Sequence, residues 1–369
     1  MKRLLIVSDP PACPGYLPRL RYLCDFLVRK GYDVTLLTEQ YQPLDFAHNY
    51  PIHTIRMYTG STMDWLIKTV WTLLTDWHNR VFAKKCLQHP AVSHQQYDLV
   101  ICTAFNDFPL GAAQRIAYVL HVPLICDIRD LDEQVEDSTY QYKHQSSLLL
   151  PFRRLYRTIH IRRRNKVLRA ANVITTVSPW HADFIKPLNE QVHVIYNGYD
   201  AHQFYPEDTS TETFTITYIG SLFDWQKPAL KTVKRIAEEM QIKVEMHTPQ
   251  HNPVSHETLG DTIRHSSIML VLTNEHTHGM LTTKFYEALG CEKPVLCVPS
   301  DNGSLAELIV YTNSGIATND IEQIKSFIAD RFREWQEKGF TRQQTTHREQ
   351  FSRENQCEQI EKIINSIIS

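Results

Sequence analysis

Thr282-Thr283-Lys284-Phe285-Tyr286-Glu287-Ala288-Leu289-Gly290 runs straight into Cys291-Glu292-Lys293-Pro294-Val295-Leu296. The first part reads as a short helix closed by Gly290. The second reads as a tight turn through Pro294 and then a buried strand. A helix that returns directly to an apolar strand is half of a parallel crossover unit. Lys284 and Glu287 stand three residues apart near the helix start, so they share one face. A cation and a carboxylate at a helix N-terminus beside a sheet edge suit a ligand with a diphosphate and a ribose, such as a nucleotide-sugar. They suit a surface ion pair on an ordinary crossover equally well.

Upstream, Leu120-His121-Val122-Pro123-Leu124-Ile125-Cys126 repeats the pattern of helix end, proline and strand seen in Cys291–Cys297. Around it, apolar runs at Leu4–Val7, Val34–Leu37, Ile52–Met57, Leu99–Cys102, Val173–Thr176 and Val192–Ile195 predict strands. Leu17–Lys30, Asp64–Leu87, Pro109–Leu120 and Phe152–Ala170 predict helices between them. Continuous apolar runs separated by helices are the mark of a parallel sheet covered on both faces. The pattern pauses at Asn197-Gly198-Tyr199-Asp200, and the polar stretch 206–213 suits a linker. It restarts with Phe214–Ile219, Lys243–Met246, Ile268–Leu272 and Val295–Val298. The expected architecture is therefore α/β, with two Rossmann-like domains, residues 1–200 and 201–350, facing across a cleft. An amphipathic last stretch, with Ile360, Ile363, Ile364 and Ile367 on one side, forms a terminal helix over 351–369.

The chain has 369 residues, enough for two cores, and a formal net charge of −2, which gives no global attraction to nucleic acid. Its eight cysteines form no CxxC pair and mostly sit in apolar runs. That pattern reads as buried free thiols in a reducing, cytoplasmic compartment. The N-terminal apolar run is shorter than a signal peptide needs, and no segment approaches a transmembrane span.

Several clusters bear on chemistry. Gly220 ends a predicted strand where backbone can approach a phosphate, with the Ser221 hydroxyl and the Lys227 charge nearby; a plain turn fits the same residues. The loop Pro10–Arg19 holds Gly15 and ends in Arg19, which either reaches a leaving phosphate or is solvated in the first turn of its helix. Asp127-Ile128-Arg129-Asp130-Leu131-Asp132 follows a strand end, where charged residues tend to face a cleft. Asp130 and Asp132 also match a loose DxD pattern, which arises often by chance. His278 is placed in the cleft, and no HExxH suggests a metal. Phe152–Ala170 carries eight basic residues and no acid. With the aromatic-apolar segment around Trp65, Trp71 and Trp77, it could dock on an anionic membrane. Alternatively, it is a solvated helix face above a buried one.

Taken together, the residues resemble retaining GT-B-fold glycosyltransferases of family four, of the bacterial surface-polysaccharide type. Arg19 with Gly31–Thr38, Asp127-Ile128-Arg129-Asp130, Ala170–Ser178, Val194–Asp200, Gly220-Ser221-Leu222 and Lys284-Phe285-Tyr286-Glu287 carry the resemblance in order along the chain. It implies that the terminal helix crosses back onto the first domain. It implies donor binding by Gly220, Ser221, Lys284, Glu287, Arg19 and His278, and catalysis by Lys284, Lys227 and Asp130. Gly15, Arg129 and Asp130 fall on the acceptor side. The implied reaction moves a sugar from a nucleotide-diphospho-sugar to a glycan or lipid-linked acceptor, with retention and without a metal or other cofactor. Two departures stand out. The family's first glutamate, eight positions before Glu287, falls on Gly279, and the arginine common after the loop glycine is Ser221. Alternatives are a nucleotide-sugar 2-epimerase and a non-catalytic nucleotide-sugar-binding relative.

Overall fold

The structure, a computed structural model, describes the chain outside residues 9–17, 41–46, 59–61, 105–106, 135–149, 274–278 and 369. The first half runs β1 (Arg3–Ser8), α1 (Pro18–Arg29), β2 (Asp33–Glu39), β3 (Ile52–Ile55), α2 (Thr62–Thr75), α3 (Trp77–Gln88), α4 (Pro90–Ser93), β4 (Leu99–Ala104), α5 (Asp107–Leu120), β5 (Leu124–Ile128), α6 (Leu150–Ala170), β6 (Val173–Thr176), α7 (Pro179–Ile185) and β7 (Val192–Val194). The second runs β8 (Thr215–Ile219), α8 (Lys227–Glu239), β9 (Lys243–His247), α9 (Leu259–Arg264), β10 (Ile268–Leu272), α10 (Thr283–Gly290), β11 (Val295–Val298), α11 (Ser304–Tyr311), β12 (Gly315–Ala317), α12 (Ile321–Lys338) and α13 (Arg353–Ile367).

The strands form a seven-stranded sheet, β3-β2-β1-β4-β5-β6-β7, and a five-stranded sheet, β12-β11-β10-β8-β9. Every pairing is parallel. Central strands such as Ile-Met-Leu-Val-Leu in β10 are buried along their whole length, because helices cover both faces. Those helices bury one stripe each: α8 buries Leu230, Val233, Ile236 and Ala237, at the three-to-four spacing of a single helical face. One compact unit has the first sheet as its centre and takes back the chain from Cys357 onward. The other is built from Tyr196–Gln356. Cys357, Ile360 and Ile364 of α13 pack with Leu4, Ile6, Phe26 and Leu27 in the first unit's core. Burying each isoleucine is worth about 1.5–3 kcal/mol, so Ile364→Asp would detach the helix.

Four local features differ from the sequence expectation. The helix expected over Asp64–Leu87 is two helices, broken at Asp76, whose backbone is left-handed at φ 56°. Asp76 is held there by Arg115 at 2.7 Å and Asn79 at 2.8 Å. The helix of the opening stretch runs through Gly290, and the left-handed turn falls at Glu292. Strand β12 lacks an apolar run to announce it. Residues 206–213 are fastened to their own unit: Arg342 pairs with Asp208 at 2.7 Å, and Trp335 donates to Thr211 at 3.0 Å.

Candidate active site

In the second sheet, β8 lies between β10 and β9, so the chain reverses its direction of travel at the β8–β10 boundary. In such sheets ligands bind outside the carboxyl ends of the strands at that boundary. Two connections meet there: the loop from Gly220 after β8, and the N-terminus of α10 after β10. The Gly220 amide donates to the His247 carbonyl at 2.7 Å, which holds the loop's first residue against the end of β9.

Lys284 is the second residue of α10, and its side chain passes over Gly220. A Cβ at Gly220 would meet Lys284 Cε at 2.5 Å, and φ at Gly220 is +117°, so only glycine leaves this seat open. Lys284 Nζ donates to the Tyr218 hydroxyl at 3.3 Å and lies 4.8 Å from the centre of the Tyr218 ring. Tyr218 is buried beneath the loop. Its hydroxyl donates to the Ser221 carbonyl at 2.6 Å, with Gln226 Oε1 3.2 Å away. Gln226, also buried, accepts from the Phe223 amide at 2.9 Å and donates to the Leu272 carbonyl at 3.0 Å, tying the loop to the end of β10. Burial raises the Tyr218 phenol to about 12 against the opposing bond from Gln226, so it stays protonated and keeps donating.

Burial also lowers the Lys284 ammonium from its ordinary value, although Glu287 pulls the other way. Glu287 is shifted upward by burial, opposed by Arg353 and then Lys284. Both ions are therefore held in a medium that disfavours their charge, and an added anion or hydroxyl donor would relieve each. The N-cap residue Thr282 makes no side-chain cap, so the first amides of α10 are not taken up by one. At the end of β10 the buried Thr273 hydroxyl has no hydrogen-bond partner among the described residues. Gly279 has φ +64°, a conformation a glutamate would adopt only with strain.

The remaining predicted residues fall in several places. Ser221 is exposed on the same loop. Lys227 opens α8, is exposed, and pairs with Asp224 at 2.6 Å. Arg19 is buried inside the first unit: it donates to Asp127 at 2.8 Å and to the Ile195 carbonyl at 2.5 Å. Asp127 also accepts from Thr175 at 2.7 Å and Thr103 at 3.1 Å, so Arg19 joins a buried network across β4, β5 and β6. Arg129 is buried just after β5, its amide bonded to the Ala104 carbonyl at 3.3 Å, and Asp130 beside it is half-buried. Gly15 and His278 lie outside the described residues. Among the described residues, no three His, Cys, Asp or Glu side chains gather as a metal-binding group. The sequence reading missed Tyr218, Gln226 and Thr273, whose only signal was their position at strand ends flanking Gly220 and Lys284.

Two Rossmann-like sheets, with a last helix in the first sheet's core, define the GT-B architecture of sugar transferases. The chain belongs to glycosyltransferase family 4, whose model matches residues 19–203. Similar folds are found in sucrose-phosphate synthase from Thermosynechococcus elongatus (TM-score 0.66, 14% identity, covering 99% of each chain). They are also found in Anabaena HepE in complex with UDP and glucose (TM-score 0.62, 14% identity, covering 99% of this chain and 100% of that one). The lipopolysaccharide outer core galactosyltransferase WaaB is a third (TM-score 0.58, 12% identity, covering 99% of each). No curated protein matches the sequence significantly. As a family 4 member the chain transfers sugar from nucleotide-sugars.

Proposed function

We propose that the enzyme moves a hexosyl group from a nucleotide-diphospho-sugar to a glycan or lipid-linked acceptor, with retention and without a metal, in polysaccharide assembly at the cytoplasmic face of a membrane. The observation that carries the donor assignment is the seat of Lys284: a desolvated ammonium, held over Gly220 by a phenol, at an uncapped helix start. When the sugar–phosphate bond breaks, negative charge grows on the diphosphate. An ammonium already fixed there needs no reorganisation, so it favours the transition state over the ground state. In this reading the Gly220 and Ser221 loop and the α10 amides take the phosphates, which is why no metal is required. Glu287, one turn into α10, accepts hydrogen bonds from the ribose hydroxyls. Lys227 would have to leave Asp224 to reach a phosphate. Arg129 and Asp130, at the end of β5, face the acceptor. Arg19, committed to Asp127, acts on the fold more than on the donor. His278 and Gly15 keep their proposed donor and acceptor roles.

The HepE complex makes a UDP-sugar the first donor to try. The test is a thermal-shift panel of UDP-, GDP- and ADP-sugars without metal, followed by turnover with and without EDTA. One nucleotide class should raise the melting temperature, and EDTA should leave turnover unchanged. Turnover abolished by EDTA would overturn the metal-free mechanism. Conversion of the nucleotide-sugar with no acceptor present would favour the epimerase. Binding without turnover across acceptors would favour a non-catalytic relative.

A further inference from the structure

Helix α2 is built inside out. A helix packed on a globular core turns its apolar stripe inward and its polar face to water. In α2, Leu73 is buried, and the half-buried positions are Asp64, Lys68, Thr69, Thr72 and Thr75. Lys68 donates to the Met57 carbonyl at 2.9 Å and to Asp64 at 2.7 Å, and it lies 5.4 Å from the ring centres of Tyr58 and Trp77. Arg163 of α6 donates to the carbonyls of Thr72 and Leu73, each at 2.7 Å, capping the end of α2. Polar contacts thus hold this helix down together with Leu73. Most of its described apolar residues are exposed: Ile67 is 51% exposed, Trp71 52% and Leu74 71%, with Met63 and Val70 on the same stripe.

Two helices that touch α2 are basic: α3 packs beside it, and α6 reaches its end through Arg163. Helices α3 and α6 contain no acidic residue. Part of the α6 basic run is occupied inside the unit: Arg157 bonds the Asp132 carbonyl, Arg163 caps α2, and Arg164 pairs with Glu133 at 2.7 Å. Arg154, Arg162, Lys166 and Arg169 of α6, with Arg80 and Lys84 of α3, remain exposed. An apolar ridge whose neighbouring helices carry exposed cations matches a surface that is apolar within and anionic at its face. A second copy of the chain would set these cations against their own kind.

We infer that the exposed ridge of α2 inserts into an anionic lipid surface, with the exposed cations of α3 and α6 on its headgroups. This deepens the reading of a lipid-linked acceptor by naming the face that meets the membrane. The test is co-sedimentation of the full chain, without any sugar donor, with vesicles of phosphatidylcholine alone or mixed with phosphatidylglycerol. Because no donor is present, failure here leaves the donor assignment standing, and failure of the donor assignment leaves this test readable. Wild type should bind the mixed vesicles. Ile67→Asn, Trp71→Ser and Leu74→Gln together should weaken binding by on the order of tenfold per side chain removed. The melting temperature and turnover on a water-soluble acceptor should stay unchanged. Leu74→Gln alone gives the same direction if the triple variant folds poorly. Arg154→Gln with Arg162→Gln should weaken binding to the mixed vesicles only, and added salt should do the same. Three outcomes would overturn the inference: absence of wild-type binding to mixed vesicles, triple-variant binding as tight as wild type, or a wild-type dimer that the triple variant splits.

Discussion

The carboxyl ends of the two sheets treat buried charge in opposite ways. In the first sheet three buried carboxylates have close partners among the described residues. Asp127 takes Arg19 and two threonines, Glu39 takes His78 at 2.9 Å, and Asp107 takes His160. In the second sheet, among the described residues, Lys284 bonds a phenol instead of a carboxylate. Glu287 is opposed only through space by Arg353 and Lys284. A closed buried pair belongs to the scaffold, because removing one half strands the other. An open, desolvated charge is where a ligand's own charge can complete the pairing.

The largest effect is expected at the buried Arg19–Asp127 network. Arg19→Met leaves Asp127 buried without its cation and should cost about 3–5 kcal/mol of stability in denaturant unfolding. A loss below about 0.5 kcal/mol would return Arg19 to the list of ligand-binding candidates. The next test sits in the second unit. Lys293 is 2% exposed and donates to the Thr341 carbonyl at 3.2 Å, and burial lowers its ammonium to about 8. The unfolded chain keeps that proton up to 10.5, while the folded one releases it near 8, so stability should rise with pH across this window. At neutral pH the buried charge costs up to about 3 kcal/mol. Lys293→Met should therefore raise the neutral melting temperature and flatten the slope between these pH values. Smaller still, Glu287→Gln should raise the donor KM by about tenfold, with little change in kcat, because it weakens an acceptor used in ground and transition state alike. Its melting temperature should hold or rise, since the carboxylate it replaces is disfavoured by burial.

Most of the sheet was legible because strands buried on both faces must be continuous apolar runs, as Ile268–Leu272 is. Gly315–Ala317 is too short and too small to signal a strand. The break at Asp76 was invisible because helical periodicity continues past it. Lys284 and Glu287 could be named from their spacing at a helix start. What holds Lys284 could not: Tyr218 reads as an ordinary core residue until the loop places its hydroxyl under the ammonium. The Arg19–Asp127 pair joins residues far apart in sequence, so only the folded topology reveals the pairing.

The most direct measurement is steady-state turnover of Lys284→Ala beside its melting temperature and its thermal shift with the preferred nucleotide. Turnover should fall by on the order of 100-fold, the nucleotide shift should be lost, and the melting temperature should hold or rise, since a desolvated charge has been removed. Near-normal turnover with a stable protein would contradict the role of Lys284.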